Sequence, residues 1–404
     1  MISTKNQTIT ALTYLLIASV LGIVLRLFPI TDFDANYRFI VHTHSHIALL
    51  GWVYISLTTL LFHQFISKEA KSKYSFLFWS THVTIIGMLL SFPFIGYAFF
   101  SILFSTLFIV CTYCFLYFFK KNNLCDTTKT SYKFIHTSLV FMVISSVGPW
   151  ALAAIMNTFG TTSHWYKNAI YFYLHFQYNG WFIFCLLGLF VYFLENTFTN
   201  IAQNKLQQFY KLMLWSCILT LGLSFLWIKP PIWMYGISAV GAIIQCLAVF
   251  MFFKILKKYK KQQNNHSFIF KALKFVLLLF LIKVVLQLAS SIPFLAELAF
   301  KTIGFVIGYL HLVFLGIVSI SIFILMKQHQ LIIISKIWIQ LFISGFIISE
   351  LFIFYKGFCI WQQLSIIENY YTFLLLTSTL IPIAICGMYF QNVKAIFSTQ
   401  PKSL

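Results

Sequence analysis

Residues 37–54 read YRFIVHTHSHIALLGWVY. Three histidines at alternate positions, His42, His44 and His46, open an otherwise apolar run. In a helix, His42 and His46 share a face at i and i+4, and His44 points to the other side. A buried polar group without a partner costs free energy, above all where no water is at hand. Three imidazoles at the head of an apolar helix therefore need partners, and the nature of those partners decides what the chain is.

The composition identifies the solvent. Of 404 residues, 60% are hydrophobic and only 9% charged, and the mean hydropathy is +0.87. Soluble domains carry about 25% charged residues. Apolar stretches of roughly 20 residues, enough to cross about 30 Å of hydrocarbon, recur along the whole length. They lack the strict alternation of a barrel, so they read as helices. Twelve spans are expected, near 8–28, 39–62, 75–96, 98–119, 134–157, 168–194, 209–228, 232–253, 272–291, 301–325, 333–355 and 370–390. Pro93 and Gly96 in SFPFIGY separate the third from the fourth, and Pro149 in VGPW predicts a packing kink in the fifth. The first run follows Lys5 and is long enough to span, so it reads as a retained helix rather than a signal peptide. The expectation is an all-α polytopic membrane protein forming a single integral membrane domain, 1–404, in a lipid bilayer. The longest connection, roughly 254–274, is basic and is expected at the lipid headgroups.

The formal charge of +20 would suggest nucleic acid in a soluble protein. Here the basic residues crowd one set of short loops, including SKEAKSK and KKNNLCDTTKTSYK. By this assignment about 21 Lys and Arg lie on that side and about 6 on the other. The positive-inside rule then excludes nucleic acid as the explanation and places both termini in the cytoplasm. The expected setting is a bacterial inner (plasma) membrane. The eight cysteines lie mostly inside apolar runs. Cys125 and Cys359 are expected in loops on opposite faces, so no disulfide framework is predicted. Cys111 and Cys114 form a CxxC within a helical run and read as packing residues.

Six of the eleven histidines are expected in structural roles. His63, His82, His266 and His329 fall in loops or near helix ends, His136 near the cytoplasmic edge and His164 in an outer loop. The other five are His42, His44 and His46 on the second span, His175 in YFYLHFQYNGWF on the sixth, and His311 in IGYLHLVFLGIVS on the tenth. These spans are four apart and run in the same direction. At 1.5 Å per residue the five lie roughly 6–16 Å below the outer end. Glycine follows His46, His175 and His311 five residues on, at Gly51, Gly180 and Gly316, and tryptophan comes next at Trp52 and Trp181. Such a glycine admits a neighbouring helix or a flat ligand. The repeat suggests three four-helix units related by pseudo-threefold symmetry.

Neutral imidazole is a good ligand for haem iron and for copper. The same five histidines could instead serve interhelical hydrogen bonds. Lys283, with Gln287 one turn on, lies in the ninth span and marks a proton path or counter-ion, or pairs with carbonyls. Glu350 is expected at the interface. No phosphate-cradling loop or HExxH zinc signature occurs, and no Ser/His/Asp set can be argued.

The segments HTHSHIALLGWV, LHFQYNGW and YLHLVFLG resemble the second, sixth and tenth helices of subunit I of the haem–copper oxidase superfamily, which includes cytochrome oxidases and nitric oxide reductases. The resemblance implies twelve helices in a pseudo-threefold ring with both termini cytoplasmic. It also implies a low-spin haem between two histidines. His46 (or His42) matches the ligand on the second helix, His311 the second histidine on the tenth, and His175 the copper histidine on the sixth. Tyr309 stands where the family has the first histidine of His-x-His, and tyrosine can also ligate iron. The metal candidates are thus His46, His311, His175 and His44, and His42 and Tyr309 join His46 and His311 around the cofactor. The histidine pair of the seventh helix has no counterpart in FYKLMLWSCILTLGLSFLWI, and Asn179 occupies the place of the family's tyrosine on the sixth. The usual binuclear copper site is incomplete. The expected function is a membrane haem protein in electron transfer or in reduction of O₂ or NO. Its partners would be other respiratory-type subunits or a cytochrome or quinol electron donor. A non-catalytic haem or copper binding or sensing protein is the first alternative. The second is a twelve-helix secondary transporter, although transporters are built from two-fold halves.

Overall fold

A peptide group in hydrocarbon has no water to bond, so apolar runs satisfy their own backbone as helices. The computed structural model describes residues 3–198, 201–260 and 268–398, and it is 86% helical with no strand among the described residues. Twelve of these helices are long and apolar enough to cross a membrane. They are α1 (Thr4–Leu27), α2 (Tyr37–Phe65), α3 (Lys71–Ile95), α4 (Phe99–Asn122), α5 (Thr130–Thr158) and α6 (His164–Thr197), followed by α7 (Gln203–Ile228), α8 (Ile232–Lys257), α9 (Lys271–Ala289), α10 (Ile303–Gln328), α11 (Lys336–Gln362) and α12 (Tyr370–Ile396). Helical structure continues past α8 to Lys260 and resumes at Phe268. The basic connection shrinks to 261–267, which lies outside the described residues together with His266.

The boundaries follow local chemistry. Asn36 caps α2, its side-chain oxygen accepting from the backbone N–H of Arg38 and Phe39, and Ser163 caps α6 in the same way. Gly96 ends α3 at φ +56°, a conformation that favours glycine. The α5 helix is interrupted at Ser146. Pro149 offers no N–H to the carbonyl one turn back, which accounts for the expected kink. Beyond α9 the short helix Pro293–Lys301 lies outside the spans, and Glu297 bridges Lys229 at 3.2 Å and Lys301 at 2.8 Å.

The sequence reads as one membrane domain, and the helices pack as two compact units. One comprises Met1–Leu124 with Ile322–Leu404, the other Cys125–Ser321. Burial is uneven among the helices. The most apolar windows of α2, α6 and α10 are 83%, 72% and 72% buried, whereas no other span exceeds 44%. These are the helices that carry His42, His44 and His46, His175, and His311.

Two expectations need correction. Cys359 is not in a loop: α11 runs on to Gln362, with Gln363 as its left-handed cap, and Cys359 is buried within it. His82 is not near a helix end but buried inside α3, where the Tyr14 hydroxyl lies 2.7 Å from its Nδ1. That partner comes from α1 and makes the burial tolerable. Glu350, expected at the interface, is enclosed by protein. It is buried midway along α11, within electrostatic reach of Arg26 from α1.

Candidate functional site

On α2, α6 and α10 the same local event follows the histidine. Regular α-helix ends at His46, His175 and His311, and a π-helical segment begins at the next residue. The segments are Ile47–Tyr54, Phe176–Phe182 and Leu312–Ser319. The glycine five residues after each histidine is the fifth residue of its π segment. A π segment exchanges i→i+4 hydrogen bonds for i→i+5 ones and occurs frequently at functional sites. At two of the three glycines the reason for the missing side chain is visible. A Cβ on Gly51 would stand 2.8 Å from the Tyr14 Cβ, and one on Gly180 would stand 2.7 Å from the Phe141 Cβ. The close approach is made by a packed aromatic residue in both cases.

In the first unit His42, His44 and His46 divide as their spacing predicts. The rings of His42 and His46 both pack on Phe92 and Tyr97, with centroids at 6.4 and 4.7 Å for His42 and at 4.4 and 6.1 Å for His46. His44 faces α1 instead, and its Nδ1 lies 2.8 Å from the Ala18 carbonyl oxygen. The Nδ1 of His46 lies 2.8 Å from the carbonyl oxygen of His42, one turn back. A carbonyl can only accept, so Nδ1 carries the proton and Nε2 keeps the lone pair. This is the tautomer a metal-ligating imidazole adopts when its other nitrogen is held by a carbonyl.

In the second unit His175 is fully buried, and its surroundings differ. Its Nε2 donates to the Cys217 carbonyl at 2.9 Å, and its Nδ1 accepts from the Asn179 amide at 3.2 Å. The oxygen of the same amide accepts from the Lys283 ammonium at 2.6 Å. Every donor in this chain points one way, from ammonium to amide to imidazole to carbonyl. Both ring nitrogens of His175 are thereby committed to protein partners. Lys283, wholly buried, also lies 5.4 Å from the centroid of Phe280. His311 is half-buried at the head of its π segment. Tyr309 lies two residues before it, edge-on to Tyr178 at 6.2 Å between centroids.

Sequence reasoning singled out Lys283 and Gln287 but missed Asn179 as the partner, although it stands one turn after His175. It also missed the pair of Tyr14 and His82. Among the described residues no group of three or more His, Cys, Asp or Glu is arranged to hold a metal ion. A scan against protein-family models finds no match to this chain, and a search of curated proteins finds no matching relative.

Proposed function

We propose that the protein is a membrane-embedded, haem-binding redox protein of the haem–copper oxidase subunit I type, with twelve membrane-spanning helices. One observation carries this reading. Every fourth span is at once the most buried, the bearer of a histidine, and the site of a π segment that starts directly after that histidine. Histidines used only to join helices have no reason to recur with a π segment at a period of four spans.

His46 fits an axial ligand of haem iron: its tautomer leaves Nε2 to donate, and its ring rests on Phe92 and Tyr97. His42 supplies the carbonyl that fixes this tautomer. Within the second unit His311 is a candidate haem ligand with Tyr309 two residues before it, and within the first His44 is a further candidate. A bound haem supplies one-electron chemistry, which the protein tunes through axial ligation, hydrogen bonding and burial. His175 fits a copper ligand poorly, since both its nitrogens are engaged within the second unit. That favours electron transfer, or haem binding without gas reduction, over chemistry at a haem–copper pair.

Absorption spectra of the purified protein test the proposal. The expected result is a sharp Soret band with low-spin features, lost in His46→Ala and in His311→Ala and kept in His164→Ala. A colourless protein after expression with adequate haem overturns the proposal and leaves the transporter. Consumption of O₂ or NO with a reductant would move the reading from electron transfer to gas reduction.

A further inference from the structure

In the second unit, where α6 begins and α7 ends, side-chain contacts gather three lysines that are far apart in sequence. The short helix Pro293–Lys301 is fastened there. Its Ala296 packs with Leu226 and Tyr235, and its Phe300 stacks on Trp227 with centroids 4.7 Å apart and planes 19° from parallel. The Trp227 indole N–H donates to the side-chain oxygen of Asn168 at 3.0 Å. The Lys167 ammonium lies 5.4 Å from the centroid of Trp227 and 5.3 Å from that of Phe300. Lys301 follows Phe300, and the Glu297 carboxylate joins Lys301 to Lys229 at 2.8 and 3.2 Å.

Charge is otherwise scarce here. About 6 Lys and Arg fall in the odd-numbered connections and the helix ends beside them, and three of these meet at this place. Glu297 is the sole acid in the sequence between Glu195 and Glu350. Hydrogen bonds from Lys301 and Lys229 hold its carboxyl below the usual carboxylate range, so it is ionised at neutral pH. Three ammoniums against one carboxylate leave two positive charges. Lys229 stands at φ +53°, in the left-handed region, so this cation is placed at a conformational cost. The side chains of Lys229 and Lys301 are 69% exposed, within reach of an outside anion. Apolar side chains border the cluster. Ile232 and Trp233 come three and four residues after Lys229, Phe294 comes three before Glu297, and Ile303 two after Lys301; each is more than half exposed. Beside a membrane span such side chains mark where hydrocarbon meets the headgroups.

We propose that Lys167, Lys229 and Lys301 form a headgroup site for an anionic phospholipid, with the Glu297 carboxylate as an internal anion that competes with the lipid phosphate for Lys229 and Lys301. The lysines supply the attraction expected between basic residues next to a membrane helix and anionic lipid. The exposed apolar border lies against the acyl chains, which a soluble acidic partner does not offer. A neutral lipid would satisfy that border and leave the two positive charges unanswered. The site lies within the second unit and does not depend on the haem reading.

Native mass spectrometry of the detergent-purified full chain, titrated with phosphatidylglycerol or phosphatidylcholine of identical acyl chains, tests the proposal. Charge changes of opposite sign should move the tightest-bound phosphatidylglycerol in opposite directions. Its affinity is expected to fall about tenfold in K229Q/K301Q, to fall about fivefold in K167Q and to rise about fivefold in E297Q. Phosphatidylcholine affinity should stay within about twofold of wild type in all three, because its headgroup carries no net charge. K205Q/K211Q, altered at exposed lysines in the first half of α7, should keep the wild-type affinity for both lipids. Helicity and monodispersity equal to wild type establish that each variant is folded. Should K229Q/K301Q fail that check, K167Q and E297Q still decide. Unchanged or weaker phosphatidylglycerol binding in E297Q would overturn the proposal, since the carboxylate would then only pin the short helix. Undiminished binding in the folded lysine variants would overturn it as well, as would an equal loss in K205Q/K211Q.

Discussion

Lys283 shows what a single residue can demand of its surroundings. An ammonium in a membrane interior is expensive unless its hydrogens find acceptors, and here the Asn179 carbonyl is one of them. Removing one partner of a buried charged pair costs about 3–5 kcal/mol, whereas removing both can be nearly neutral. Asn179→Leu is therefore expected to lower the melting temperature in detergent strongly. Lys283→Met combined with Asn179→Leu should recover most of the loss, and equal melting of the single and double variants would refute the coupling. At the end of α10, the Nδ1 of His329 accepts from the Gln64 amide at 2.6 Å. Burial, reinforced by the charge of His63, brings the pKa of His329 down from 6.5 to about 4. The unfolded chain thus takes up the proton first. The stability this group contributes is whole above about pH 6.5 and is lost as the pH falls toward 4. Melting curves of wild type and His329→Gln between pH 7 and 4 check this, with a shallower decline expected in the variant. At this scale the sequence reveals candidates but not their partners. Asn179 and Lys283 are 104 positions apart, and no local pattern joins them.

At the scale of elements, two of the three π segments have an aromatic residue packed against the glycine at their fifth position. Gly51 and Gly180 each leave room for an aromatic residue that a methyl group would strike at under 3 Å. Overpacking of this kind costs about 1–3 kcal/mol. Gly51→Ala and Gly180→Ala are expected to lower the melting temperature. Gly236→Ala, on α8 with nothing within 4 Å of an added Cβ, should be neutral or slightly stabilising, since alanine is the better helix former. Destabilisation of the same size at all three positions would discount the packing argument. The spacing from histidine to glycine is plain in the sequence. The π turn it accompanies is not, because a switch from i→i+4 to i→i+5 bonding leaves the apolar pattern almost unchanged.

For the whole molecule, the distribution of lysine and arginine is the physical argument for orientation. About 21 of them fall in the even-numbered connections and at the two termini, which predicts that these lie on one side and that both termini are cytoplasmic. Reporter fusions that are active on only one side of the membrane, placed at each end of the chain, check this. Opposite outcomes for the two ends would mean that the number of crossings is odd and that the twelve-span reading is wrong.

Length and hydropathy by themselves determined the helical class and the twelve helices long and apolar enough to cross a membrane. These properties are local or additive along the chain, so they survive without knowledge of contacts. Tertiary structure alone decided that His82 and Glu350 are buried, that His46 takes its hydrogen-bond acceptor from His42, and that His175 is engaged on both nitrogens. The burial of a polar side chain is settled by the atoms that meet it, and these lie on helices far away in sequence or on the preceding turn. A pattern of apolar residues shows which face of a helix is covered, but not which atoms cover it.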